Sequence, residues 1–267
     1  APVSVPHTMD SFMQAFAASR LPASSFCPAY GLAEHAVGVT LGGRLRVRID
    51  RHTLASKRVA RLETDGDLEL VGCGPARCGV EVRIVAPDSL RPLKERYEGE
   101  IWVQSDSVAD GYQGLPDVSA AAFRATLTDE AGHWLRTGDL GFFHEGELFI
   151  TGRQKDLIII RGRNLHPEDI EESVRKIHPG IRPGGVVAFS VPGNATEELV
   201  VMLEVTQHDA AQLDEILQLV KRRIGEVWQM QALVGMVDVH SLKKTTSGKI
   251  QRAANRQAWL AKQFNLL

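Results

Sequence analysis

Residues 152–177 read GRQKDLIIIRGRNLHPEDIEESVRKI, and the character of the chain changes there. A charged, glycine-led step, Gly152–Asp156, runs into an apolar β-type run, Leu157–Arg161. Pro167 then opens a helical pattern over Glu168–Ile177, with acidic residues crowding its first turn, where the helix dipole favours them. Beyond it the sequence predicts strands at Val186–Val191 and Leu199–Val205, a helix at Ala210–Trp228, a strand at Leu233–Val239 and a last helix at Ile250–Phe264. This is a small α+β unit of about 110 residues, an ordinary domain size.

Upstream the texture differs. Met9, Phe12, Met13 and Phe16 recur at helical spacing within 7–19, and Pro22 stops that helix. Phe26–Tyr30 is strand-like and ends in a Gly31 turn. Residues 44–49 alternate: Arg44, Arg46 and Arg48 on one face, Leu45, Val47 and Ile49 on the other. From Leu68 to Thr151 short β segments are punctuated by glycine (LELVG, VEVRIV, GEIWVQS, HWLRTGDL, GELFITG), with one helix near Ser119–Arg124. The pattern predicts a β-rich subdomain, a distorted barrel.

Composition excludes several classes. With 267 residues, 43% hydrophobic and 24% charged, the chain is an ordinary globular one. Its net charge of -2 offers no global basic field for nucleic acid. The basic strip Arg44, Arg46, Arg48, Arg51, Lys57, Arg58 and Arg61 lacks interleaved aromatics. It reads as a solvated strand face, or as a docking surface for an acidic protein partner or for the small α+β unit. Apolar runs such as Val186–Phe189 are too short for a transmembrane segment. Ala1–Ser4 shows no leader pattern. Three cysteines, Cys27, Cys73 and Cys78, have no metal-type spacing and are expected to be reduced thiols of a cytoplasmic protein.

Four short stretches carry chemistry-bearing residues. In Tyr30-Gly31-Leu32-Ala33-Glu34 an aromatic, a glycine and a carboxylate could stack a base, admit close backbone approach and hold Mg²⁺. In Thr137-Gly138-Asp139 a turn carboxylate could accept from a ribose diol. Gly152-Arg153-Gln154-Lys155-Asp156 and Lys243-Lys244-Thr245-Thr246-Ser247-Gly248-Lys249 present cations beside glycine. The last is no Walker loop: Lys243 stands where its first glycine would be, and Ile250 where Ser or Thr would bind magnesium. Taken singly, each stretch reads as a turn with solvated charges.

In this order and at these separations the four resemble the adenylate-forming superfamily of acyl-CoA synthetases, luciferases and adenylation domains. The matches are Y-G-x-x-E at 30–34, T-G-D at 137–139, G-R-x-K-D at 152–156 and K-T-x-S-G-K at 244–249. Asp156–Glu171, with its R-G-R-N, Pro and D-I-E, resembles the fatty acyl-AMP ligase branch. Ala33 and the long interval from Glu34 to Val71-Gly72-Cys73-Gly74 fit the same branch, whose inserted segment would lie within 42–70.

The resemblance implies an α/β and α+β architecture. Residues 1–151 would be the C-terminal part of a large AMP-binding adenylation domain, and 152–267 a small mobile domain carrying the catalytic lysine. It implies ATP-dependent activation of a fatty acid to acyl-adenylate, then transfer to an acyl carrier protein or a carrier domain of a polyketide or peptide synthase. Lys249 would be catalytic and, with Tyr30, Gly31, Glu34, Asp139 and Arg153, nucleotide-binding. Tyr30 would stack adenine, Glu34 would hold Mg²⁺ and Lys155 would be the hinge. Apolar residues of 42–70 (Leu45, Val47, Ile49) would pack on the small domain. Departures are Lys243, where proline is usual, expected to loosen the loop that aims Lys249, and Leu165-His166 for His-Tyr. The superfamily's phosphate loop is not found in the sequence, so the isolated chain is expected to be inactive. An acyl-CoA ligase and a non-catalytic module remain the alternatives.

Overall fold

The computed structural model describes residues 6–193, 196–206 and 209–267; Ala1–Ser4, read as free of a leader, lie outside the described residues. The chain divides into two compact units, Ala1–Lys155 and Asp156–Leu267. Gly152 and Arg153 pair with Leu140 and Asp139, so the step expected to open the small domain belongs with the first unit.

In the first unit, helix α1 (Pro6–Ala15) is followed by strands β1 (Ala29–Tyr30), β2 (Thr40–Leu41) and β3 (Arg46–Ile49). Helix α2 (Arg51–Lys57) leads to β4 (Leu68–Val71), β5 (Glu81–Val85) and β6 (Gly99–Gln104). Helix α3 (Pro116–Phe123) precedes β7 (Leu135–His144) and β8 (Glu147–Arg153). The strand expected over Phe26–Tyr30 shrinks to its last two residues, because the Pro28 carbonyl is taken by the N–H groups of Gly42 and Gly43. Helix α2 went unread. Its cap is Asp50, whose carboxylate accepts the Thr53 N–H at 2.6 Å.

Sheets β1-β2 and β5-β6-β7-β8 are each bridged to the segment between β4 and β5, by Thr40↔Ala76 and Gly72↔Phe149. The β-rich unit is therefore open and not a closed barrel. The outer edge of β5 is met by an irregular segment through Val85↔Pro92 and the Leu93 N–H to Ile84. Pro92, lacking an N–H, cannot extend a ladder there.

The apolar face of β3 is used within this unit. Val47 and Ile49 pack with Leu54, Ala60, Leu68, Leu70, Phe142 and Phe149, and Leu45 packs at the margin of that cluster. Burial of that size, about 1.5–3 kcal/mol per side chain, commits β3 to its own core, which corrects the expectation that it packs on the small domain. The basic strip is likewise neutralised locally. Arg46 pairs with Asp10 and Glu69, Arg48 with Glu69, Arg51 with Asp67, Arg58 with Glu98 and Arg61 with Glu63. An acidic partner would find few free cations there.

The second unit starts with a hairpin, β9 (Ile158–Ile160) and β10 (Arg163–Leu165), turned at Arg161-Gly162, both at positive φ. Helix α4 (Pro167–Arg175), strands β11 (Ile181–Pro192) and β12 (Glu197–Val205), helix α5 (Ala210–Trp228), strand β13 (Ala232–Asp238) and helix α6 (Arg252–Leu260) follow. β11 and β12 are antiparallel; α5 returns the chain so that β13 runs parallel to β12. Ile216, Val220, Ile224 and Trp228 bury one stripe of α5. Val187, Phe189, Val200, Met202 and Val237 form a core with Leu242. Among the described residues no helix is long and apolar enough to cross a membrane, and the three cysteines are free.

Candidate active site

The Thr137-Gly138-Asp139 stretch is a bulge in β7. Arg136 pairs with Trp102 and Leu140 with Glu100, so these three residues stand opposite Ile101 alone. Gly138 takes φ +69°, and the Thr137 hydroxyl donates to the Ile101 carbonyl at 2.7 Å. A bulge re-aims the side chain that follows it. Here that side chain is Asp139, which is 1% exposed. Its Oδ2 accepts from the Tyr30 hydroxyl at 2.8 Å and its Oδ1 from Arg153 Nε, across the ladder, at 2.9 Å. Burial, with the Asp139 charge adding to it, pushes the Tyr30 phenol well above its usual pKa, so it stays a donor.

Behind the bulge stands Glu100, buried and unforeseen from sequence. Its carboxylate accepts from Trp102 Nε1 at 2.9 Å, Arg136 Nε at 3.0 Å and the Gly138 N–H at 3.2 Å. A carboxylate two residues from a tryptophan in a strand gives no sequence signal, because two of its three donors, Arg136 and the Gly138 N–H, come from the neighbouring strand.

Tyr30 does not sit as a stacking platform. Its ring is 1% exposed and packs with Val39, Cys73, Ile101 and Leu148. Neither ring face is open to a base, so the adenine-stacking expectation gives way to a role as Asp139's donor. Gly31 is required by close approach: a Cβ there would lie 1.4 Å from the Val37 carbonyl oxygen. Glu34, half-buried, accepts from the Tyr112 hydroxyl at 2.8 Å, while Tyr112 packs edge-on against Phe123. Tyr112 is a second residue that sequence reading missed, 78 positions from its partner. Among the described residues no cluster of three His, Cys, Asp or Glu could hold a metal by itself. Glu34 therefore fits only an ion that arrives with phosphate ligands of its own. Lys155, exposed, is the last residue of the first unit.

Lys249 belongs to the second unit, in a tight hairpin after β13. Lys244 and Ile250 are bridged; the Thr245 N–H donates to the Lys249 carbonyl at 2.8 Å, and the Lys249 N–H to the Thr245 hydroxyl at 3.1 Å. Gly248, at φ +81°, closes the turn. The Lys249 side chain is exposed and has no ion-pair partner among the described residues. The hairpin base is anchored on Glu204, which is fully buried and accepts from Lys244 Nζ at 3.0 Å and the Leu242 N–H at 3.0 Å. Lys243 does not loosen the loop. Its N–H donates to Asn255 Oδ1 at 2.8 Å and its carbonyl accepts from Asn255 Nδ2 at 2.9 Å. One buried amide clamps both sides of the residue.

Beside this hairpin lies a buried ionic cluster. Arg252 meets Asp156 at 3.1 Å, Glu168 at 2.9 Å and Glu171 at 2.8 Å. Burial raises the Glu171 carboxyl to about 7, although Arg252 pulls it down. A carboxyl raised in the folded state binds its proton more tightly there than in the unfolded chain. Its stabilising contribution is complete below the unfolded value, near 4.5, and is lost as pH rises through about 7. Denaturant titration of the chain should therefore show stability falling over that window. Glu171→Gln should flatten the loss. Parallel curves for the two proteins would show that the buried carboxyl is not its cause.

Comparison with known proteins places this geometry. Residues 4–113 match the family "AMP-binding enzyme" and residues 155–267 match "Disco-interacting protein 2-like, AMP domain". The chain is 37% identical to the 4-hydroxyphenylalkanoate adenylyltransferase of Mycobacterium tuberculosis, over 97% of this chain and 44% of that protein. It is also 37% identical to the medium-chain-fatty-acid acyl-carrier-protein ligase JamA of Moorena producens, over 95% of this chain and 45% of that protein. Among solved structures it matches one from a study of the fatty acyl-adenylate ligases of E. coli and L. pneumophila. That match has a TM-score of 0.84 and 29% identity, over 98% of this chain and 46% of that one. The chain thus spans less than half the length of the relatives it matches. With its motifs in their order and its fold matching theirs, the chain is similar to the AMP-binding, adenylate-forming enzymes, the fatty acyl-AMP ligases among them.

Proposed function

We propose that this chain serves ATP-dependent activation of a fatty acid to its acyl-adenylate, followed by transfer to a carrier-protein thiol. In the first step a carboxylate oxygen attacks the α-phosphorus of ATP and pyrophosphate leaves. In the second a thiolate attacks the acyl carbon and AMP leaves. The two anions that meet in the first step repel, so a fixed cation at the meeting point lowers the barrier. Lys249, exposed on a braced hairpin, is suited to that role. Magnesium, when bound on the nucleotide's phosphates, offsets their charge, and Glu34 would be its protein ligand. The first unit, Ala1–Lys155, would then be the C-terminal part of the adenylation domain and the second, Asp156–Leu267, the mobile small domain. Lys155, the last residue before the second unit, would be its hinge.

The observation that carries the reading is Asp139, fixed by the bulge between Tyr30 and Arg153. Tyr30 and Arg153 fix its two oxygens, and an ionised carboxylate, an acceptor at about four lone-pair sites, is the chemical complement of a ribose diol. Asp139 is buried, and Arg153, 42% exposed and bonded to it, is the member of the pair that a diol would meet from solvent.

The test is competition between an adenylate analogue and its 2′,3′-dideoxy form on the protein as its gene encodes it. The dideoxy form should bind roughly 10-fold to 100-fold more weakly, as expected for hydrogen bonds to a charged acceptor. Equal binding would remove Asp139 as the ribose acceptor and the reading with it.

A further inference from the structure

Arg252 stands three positions beyond Lys249, as the first residue of α6, and its side chain is 16% exposed. Its three carboxylate partners come from two other segments. Asp156 is the first residue of the second unit, directly after Lys155, whereas Glu168 and Glu171 lie on α4. Glu171 also accepts the Ala188 N–H of β11 at 3.0 Å. One carboxylate would balance the guanidinium. Three, largely buried, add desolvation cost and mutual repulsion, so the cluster is poorly explained as a source of stability. What it supplies is direction, since a planar five-donor fork meets several carboxylates only in a set orientation.

The hairpin passes that orientation on. The Gln251 N–H bonds to the Lys243 carbonyl, Lys249 is tied to Thr245 through both backbone groups, and Asn255 of α6 grips Lys243. From Lys243 to Arg252 the chain is one braced piece, so a shift at Arg252 carries Lys249 with it.

We propose that Arg252 is a positioning residue for adenylation. It locks the Lys249 hairpin to Asp156, so the ammonium is presented at a fixed bearing from the point where the chain enters the second unit. This rests on the reading of Lys249 as the charge stabiliser. A lysine at position 252 keeps the charge and loses the fork.

The test uses Arg252→Lys and, separately, Asp156→Asn in the protein as its gene encodes it. For Arg252→Lys, kcat for ATP–pyrophosphate exchange should fall about tenfold with KM for ATP unchanged, the mark of a group misplaced in the transition state alone. Hydrogen exchange at the Thr245, Gly248 and Lys249 amides should quicken about tenfold. The α5 core amides of Val220 and Ile224 should not change, which separates a loosened hairpin from a destabilised fold. Asp156→Asn should do the same to a smaller degree, and it decides the matter if Arg252→Lys fails to fold. Unchanged kcat and hairpin exchange beside a crippled Lys249→Ala would overturn this inference alone. An unimpaired Lys249→Ala would overturn the reading beneath it, and the role in adenylation with it.

Discussion

Lys249→Ala is expected to cut acyl-adenylate formation by roughly 10²–10³-fold, the usual loss for one preorganised charge stabiliser. The effect belongs in kcat, because the ammonium meets developing charge and not the resting nucleotide. Consumption of preformed acyl-adenylate should be nearly untouched, since that step joins no two anions at the α-phosphate. The hairpin itself should survive, because its bonds run through Thr245, Gly248 and the backbone of Lys249. The measurement is pyrophosphate exchange beside single-turnover transfer from synthetic adenylate. Equal losses in the two steps would refute the assignment.

Asp139→Ala should be costly twice over. It removes the acceptor proposed for the ribose diol, which should weaken adenylate binding by roughly 100-fold. It also strands the Tyr30 hydroxyl in the core, at about 1–3 kcal/mol for an unpaired buried donor. The double variant Tyr30→Phe/Asp139→Ala separates the two losses. It should recover stability, because the Tyr30 donor leaves together with its acceptor, and should recover no binding. If binding returned with stability, Asp139 would be a purely structural residue.

The residues that carry these expectations were legible because they sit in short local patterns. Lys249 follows a glycine in a polar loop, Asp139 follows one in a turn, and Arg153 and Lys155 lie two apart at a strand end. Their supports were not legible. Glu100 acts across a ladder, Tyr112 reaches back to Glu34, and Arg252 collects carboxylates from Asp156 and α4. Such partners are set by tertiary folding, and sequence spacing says nothing of them. Tyr30 marks the opposite failure. The motif singles it out, but whether a tyrosine offers its ring or its hydroxyl depends on what surrounds it. In the small unit, α5 and β11–β13 were predictable from unbroken periodicity. The strand β10 was missed, because three residues beyond a two-residue turn show no period. Helix α2 was missed because its seven residues, RHTLASK, show too little apolar repeat for a helix.

The clamp of Asn255 on Lys243 has a consequence for exchanging parts between relatives. Where proline is usual at the hairpin base, no N–H exists to meet the Asn255 oxygen. Grafting a proline-bearing loop into this chain would leave that buried oxygen bare, while the carbonyl at 243 would go on accepting from Asn255 Nδ2 and the Gln251 N–H. The loop and position 255 therefore form a single unit of inheritance: they are compatible as a matched pair, and a recombination point between them would join halves that no longer fit.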